Sequence, residues 1–194
     1  GDTLKDVQLV LSISEKNPLD IVNLEQLKKF RDYINSNVTF YYNPANQTFV
    51  SDDATSGDHY IKIKPGGENM FFRLNFNDGS KNVDLSLESE DWTPIGNSTN
   101  RFKGHFNGNQ HTVTGLSIVS NTAKAYQGFF GYLQGTVKDL TMVAVNIKSK
   151  GDYHGAIAGY NYGTITNCHV LSGSVQGGDY VGGLSGYNSY DQMS

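Results

Sequence analysis

Asp152 and Asp179 stand 27 residues apart, beside Tyr153 and Tyr180, so a repeat of that length would set one carboxylate over the other. Two like charges about 5 Å apart repel unless a cation or water separates them. The pair is the candidate calcium site, with a solvated turn pair as the plainer reading; no other cofactor is expected. Asp52, Asp53 and Asp58 lack the regular alternation of an EF-hand loop. His105 and His111 flank the turn Asn107-Gly108-Asn109, where zinc would need a further ligand. Cys168 reads more simply as a small buried hydrophobe than as a reactive thiol, and His169 beside it would face the other side of a strand. Ser117, Ser172 and Ser174 have no nucleophile elbow around them.

The aromatic residues form a clearer pattern. Tyr132, Tyr153, Tyr160, Tyr162, Tyr180 and Tyr187 recur along the second half, with Tyr126 and Tyr190 near them, and are the candidate ligand-binding residues. Such rings stack on sugars or anchor a protein partner. The plainer alternative is that they cover the corners of a repeating fold.

The elements that position these side chains follow from composition and repetition. The chain of 194 residues carries 22 Gly and 12 Tyr but 4 Pro, a balance that favours strands and turns over helices. Its net charge of −4 gives no electrostatic footprint for nucleic acid. One cysteine excludes an internal disulfide, and no apolar run approaches the roughly 18 residues of a membrane span.

GFFGYLQGTVKDL at Gly128 to Leu140 recurs as AIAGYNYGTITNC at Ala156 to Cys168, and in part as GLSGYN at Gly183 to Asn188. Gly131, Gly159 and Gly186 are separated by 28 and 27 residues, as are Tyr132, Tyr160 and Tyr187. Apolar columns keep the same register: Phe129, Ile157 and Leu184; Val137 and Ile165; Leu140 and Cys168; Ile147 and Val175. Short β-branched runs between Gly, Asn and Asp read as brief strands between tight turns. Each copy must stack on the next to bury its apolar face.

A period of about 28 residues suits three short strands per coil better than a four-stranded propeller blade. The expected fold is therefore mainly β: a parallel β-helix, right-handed by the crossover rule, with an α/β N-terminal cap. Gly131, Gly159 and Gly186 are placed at corners, where either a left-handed backbone or close packing of coils would exclude a side chain. Asn161, Asn167 and Asn188 fit turns, because Asn tolerates unusual dihedrals.

A stack of coils exposes a first edge that needs cover. Residues 1–91 are assigned to the cap and 92–194 to the repeats, with stacking expected from about Trp92. Within the cap Asn23 is an N-cap with Gln26 three residues on, and Leu24, Leu27, Phe30 and Ile34 share one face, which predicts a helix over about 23–35. Its Lys28, Lys29 and Arg31 read as a solvated face. Strand-like runs lie at Val7 to Ser14, His59 to Lys64 and Met70 to Phe76, and Thr39 to Asp58 reads as a hairpin or excursion. The repeat breaks off after Tyr187-Asn188, which suggests that the natural polypeptide continues into further domains.

WTPIGNSTNRFKGHFNGNQHTVTGLSI at Trp92 to Ile118, followed by the three repeat segments, resembles the GLUG repeat family of bacterial surface and secreted proteins, notably of gut Bacteroidetes. The likeness spans roughly residues 20–190. The Gly-Leu-x-Gly element matches Gly183, Leu184, Ser185 and Gly186, and more loosely Ala156 to Gly159 and Gly128 to Gly131. The resemblance implies a parallel β-helix exposed outside the cell, often appended to larger adhesins or to peptidases whose catalytic domain lies elsewhere, and carries no catalytic residue set; the expected location is extracellular or on the outer cell surface, with a lipid anchor as one means of attachment. The expected function is a non-catalytic binding or adhesion module that engages a glycan or a host or matrix protein. The alternatives are a spacer within a larger surface protein, or a β-helix polysaccharide-degrading enzyme. Against the enzyme, glycoside hydrolysis needs two carboxylates facing across the sugar, and from Gly128 to Asn188 the only acids are Asp139, Asp152 and Asp179.

Overall fold

The structure, a computed structural model, describes residues 13–52 and 59–189. Asp53, Asp58, Tyr190 and all but the end of the strand expected over Val7 to Ser14 lie outside them. Among the described residues the first elements are β1 (Leu19–Ile21) and α1 (Leu24–Ser36). The Asn23 side chain accepts the Gln26 N–H at 2.9 Å, satisfying one of the orphan donors of the helix. Gln26 does not complete a reciprocal box; its Oε1 accepts the Phe49 N–H at 2.8 Å and ties α1 to the neighbouring hairpin. Leu27, Phe30 and Ile34 are fully buried, and Asn37 ends the helix in the left-handed region at φ 53°.

The excursion is an antiparallel sheet, with β2 (Phe40–Asn43) between β3 (Thr48–Val50) and β4 (Ile61–Ile63). Phe30 links it to the solenoid through ring contacts with Phe49, Phe72, Phe102 and Phe106. Next come β5 (Phe71–Leu74) and β6 (Asn82–Asp84). Parallel pairing runs β1-β5 and then β5 to β7 (His105–Thr114), so the ladder begins upstream of Trp92, where the sequence places the cap. The physical reason is that these upstream strands supply edge hydrogen bonds without repeating the 28-residue pattern.

From β7 the chain winds over three faces. The first coil continues through β8 (Ser117–Val119), and the second holds β9 (Phe130–Leu133), β10 (Thr136–Val143) and β11 (Val145–Lys148). The third holds β12 (Ala158–Asn161), β13 (Thr164–Thr166), β14 (His169–Val170) and β15 (Gly173–Gln176), and β16 (Ser185–Asn188) opens the last. Three parallel sheets result: β1-β5-β7-β10-β13, β8-β11-β15 and β9-β12-β16, with β14 beside β10 and β6 beside β7. The fold is a mainly β parallel solenoid of about four turns and about 29 residues per turn.

The sequence columns are physical stacks. Val137 pairs with Ile165 and Ile147 with Val175. Phe130 donates its N–H to Ile157 O, and Ile157 donates to Leu184 O. Phe129 and Ile157 are fully buried, whereas Leu184, in the last coil, is half-buried against the same core. Each fully enclosed side chain of this size contributes roughly 1.5–3 kcal/mol.

The corner assignment of the glycines is corrected: Gly131, Gly159 and Gly186 lie inside β9, β12 and β16. Close approach excludes their side chains. A Cβ on Gly159 would meet Tyr153 O at 2.5 Å, and one on Gly186 would meet Tyr180 O at 2.5 Å. The left-handed angles fall instead on Tyr126, Tyr153 and Tyr180, at φ 58°, 66° and 59°. A second recurring bend uses Asn109 and Gln110, then Asp139, then Asn167, all at positive φ, and Asn167 Nδ2 donates to Asp139 Oδ1 at 2.6 Å.

Candidate functional site

Two surface features emerge from this register. The first is a tyrosine ribbon. Tyr132, Tyr160 and Tyr187 are register partners in β9, β12 and β16, with ring centroids 4.6 and 4.8 Å apart. Tyr126, Tyr153 and Tyr180 sit on the loops leading into those strands, aligned by bridges from Gln127 to His154 to Val181, and stack at 5.0 and 4.9 Å. The two ladders meet edge to face, as between Tyr153 and Tyr160 at 5.4 Å and 65°. A bulky residue at positive φ is strained, so three tyrosines held there in succession mark a ladder sustained by its own stacking.

Arg101 closes one end of the ribbon, its guanidinium 4.4 Å from the Tyr132 ring centroid. Tyr132 is 7% exposed and Tyr180 51%, so access increases toward the last coil. Burial raises the phenol pKa of Tyr132 and Tyr153 above the ordinary value. Because most ring faces are covered by their neighbours, the ribbon offers phenol edges, one pair per coil. Tyr162 is set apart at the turn after β12, half-buried, with its N–H donating to Leu133 O at 2.8 Å.

The second feature is a cavity of about 210 Å³ on the outer face of the main sheet, lined by Glu15, Pro18, Phe71, His105, Asn107, Thr136, Lys138 and the backbone course of Phe72 and Phe106. Phe71, His105 and Thr136 are register partners on β5, β7 and β10. The Phe71 ring stacks on the His105 imidazole at 4.3 Å and 19°, and His105 Nδ1 lies 2.8 Å from Thr136 Oγ1. Two residues along, Arg73, Asn107 and Lys138 form a parallel polar column, because alternate side chains of a strand share a face. Arg73 pairs with Asp20 at 2.7 Å, and Lys138 with Glu15, which lowers the Glu15 carboxyl pKa.

The remaining candidates separate. Asp152 Oδ1 accepts the Asp179 N–H at 2.7 Å, so one oxygen of the pair is engaged in a coil-to-coil hydrogen bond. Among the described residues no three His, Cys, Asp or Glu side chains gather as a metal cluster. His105 and His111 lie in the same strand, but His105 lines the outer cavity while His111 is buried against Phe76. Cys168 is half-buried against the core, and its thiol pKa is raised by desolvation. Trp92 is buried, stacks on Phe129 at 5.3 Å and 9°, donates its indole N–H to Phe129 O at 3.1 Å, and lies under Arg31 at 4.7 Å.

The cavity was not legible beforehand: Phe71 and His105 are 34 residues apart, outside the repeat period, and Glu15 reaches Lys138 across 123 residues. The strand-like run at Met70 to Phe76 is the signal the sequence offers there. No helix among the described residues is long and apolar enough to cross a membrane. Fold and surface together define a parallel β-solenoid with an aromatic edge. Set against protein-family models, curated proteins and solved structures, the chain finds no match in any of the three.

Proposed function

We propose that this chain is a non-catalytic binding or adhesion module of the GLUG type, displayed outside the cell or on its outer surface as part of a larger polypeptide, and that its ligand is a glycan. The observation that supports this reading is the tyrosine ribbon. Its phenol edges repeat every 4.6–5.0 Å along the solenoid axis on a rigid frame. Rings of this kind present an apolar body and a hydroxyl at a fixed place, which suits an extended, polyhydroxylated polymer lying along the coils.

A glycan array probed with the wild-type chain and with Tyr180→Ala tests the reading. Tyr180 is the most exposed member of the ribbon, so its truncation removes contact area with little strain on the core. Retention of one or more glycans, weakened several-fold by the substitution, supports the proposal. No retained glycan, or loss of polymer length on incubation, contradicts it, the latter in favour of a polysaccharide-degrading enzyme.

A further inference from the structure

We infer that the cavity between the Glu15 turn and the main sheet is a subsite for one neutral sugar residue, separate from the tyrosine ribbon. This rests on the glycan reading above and names where and what class of unit the chain grips. The size argument comes first. The cavity holds about 210 Å³. It falls short of the roughly 300 Å³ at which pockets for drug-sized ligands begin, and suits a single six-membered ring.

The lining then selects the chemistry. One wall is the Phe71–His105 stack, an apolar edge for the C–H face of a pyranose. The other is the polar column Asn107–Lys138, with Glu15 arriving from the turn that Ser14 and Asn17 close. Between the walls Phe72, Phe106 and Val137 point into the core, so the floor is strand backbone and cannot collapse when the cavity empties. A ring with one apolar face and a rim of hydroxyls meets both walls at once.

The charges argue against an ionic ligand. Lys138 is neutralised by Glu15, and Arg73 nearby by Asp20 through two hydrogen bonds of 2.7 and 3.0 Å. A phosphate or carboxylate accepting from Lys138 would sit beside the Glu15 carboxylate already held there, and the two like charges repel. Vicinal hydroxyls can instead accept from the ammonium and donate to the carboxylate without separating them, the arrangement in which charge-assisted hydrogen bonds are strongest. Specificity against analogues lacking those hydroxyls follows, because the pair would then be desolvated with nothing offered in return.

Two variants isolate the site. Glu15→Gln with Lys138→Met removes both charges together and leaves no unpaired ion; Thr136→Trp fills the space from an outward-facing position. Saturation-transfer NMR and calorimetry with neutral oligosaccharides, such as β-linked hexose tetramers, compare each with the wild type and with Tyr180→Ala, and thermal melts confirm folding. At least tenfold weaker binding in both pocket variants at unchanged melting temperature supports the subsite. Wild-type affinity in both folded variants, with loss only in Tyr180→Ala, overturns the subsite and leaves the glycan reading standing. No binding of any glycan by the wild type overturns both. Preference for anionic over neutral sugars, or for inorganic phosphate, overturns the assignment of ligand class.

Discussion

Truncating the middle tyrosine of the strand ladder gives the sharpest energetic test of the ribbon. Tyr160 is flanked by Tyr132 at 4.6 Å and Tyr187 at 4.8 Å and takes an edge contact from Tyr153 at 5.4 Å, whereas Tyr180 has Tyr153 at 4.9 Å, Tyr187 edge-on at 5.2 Å and an open outer side. At about 0.5–1.5 kcal/mol per aromatic pair beyond area burial, these three contacts and a fourth with Tyr126 at 6.1 Å put Tyr160→Ala at roughly 2–6 kcal/mol before lost burial is added. Half-exposed Tyr180, with two such contacts, loses about 1–3 kcal/mol on the same basis. Urea denaturation followed by far-ultraviolet circular dichroism reads both, with the m-value checked for constancy. A cycle of Tyr132→Ala, Tyr160→Ala and the double variant should return a coupling of about 1 kcal/mol. If Tyr160→Ala costs no more than Tyr180→Ala, or the coupling is zero, the ladder does not hold the coils together.

Gly163→Ala should destabilise by about 3 kcal/mol, since overpacking cannot relax against backbone and the new Cβ would lie 1.9 Å from Gly135 O. Gly183→Ala, with nothing within 4 Å and Ala156 as its counterpart one coil earlier, should stabilise by up to about 1 kcal/mol; comparative melts distinguish the two. Trp92→Phe should cost about 1 kcal/mol for the indole bond, because Phe129 O keeps the Ile95 N–H at 2.9 Å, while Trp92→Ala should cost about 3–5 kcal/mol.

Acid should weaken the fold through two buried histidines. Desolvation lowers the pKa of both His111 and His154, with Lys81 lowering the first further and Asp152 opposing in the second. Below about pH 6.5 the unfolded chain takes up protons that the folded chain refuses, so stability falls as pH falls. The slope is at most about 1.4 kcal/mol per pH unit for each histidine, and ends once the folded groups protonate. Urea midpoints from pH 7.5 to 5 should decline, and His154→Phe should flatten the decline; an unchanged slope in that variant contradicts the assignment.

How much of this was legible depends on whether a residue belongs to the period. Phe129, Ile157 and Leu184, or Tyr132, Tyr160 and Tyr187, announce their stacking because identical environments one coil apart select similar side chains. What a glycine is for does not show: Gly131 and its counterparts could serve a left-handed angle or a close contact, and only geometry separates the two. The left-handed tyrosines run against backbone preference, so no propensity argument reaches them. The front of the molecule, residues 1–91, carries no repeat and reads from sequence as a cap. Its strands β1, β5 and β6 join the solenoid sheet without repeating its pattern, because an end strand needs matching hydrogen bonds but not matching side chains. The sugar-sized cavity lies at that junction, where periodicity has nothing to say.

The vertical stacking of coils is tested most directly by a nuclear Overhauser spectrum of the labelled chain. Ring protons of Tyr160 should show cross-peaks to both Tyr132 and Tyr187, and the backbone of Thr136 to Lys138 should connect to Thr164 to Thr166 in parallel register. Strong Hα–Hα cross-peaks between those two segments, the mark of antiparallel pairing, or a Tyr160 ring in contact with neither tyrosine, would contradict the account.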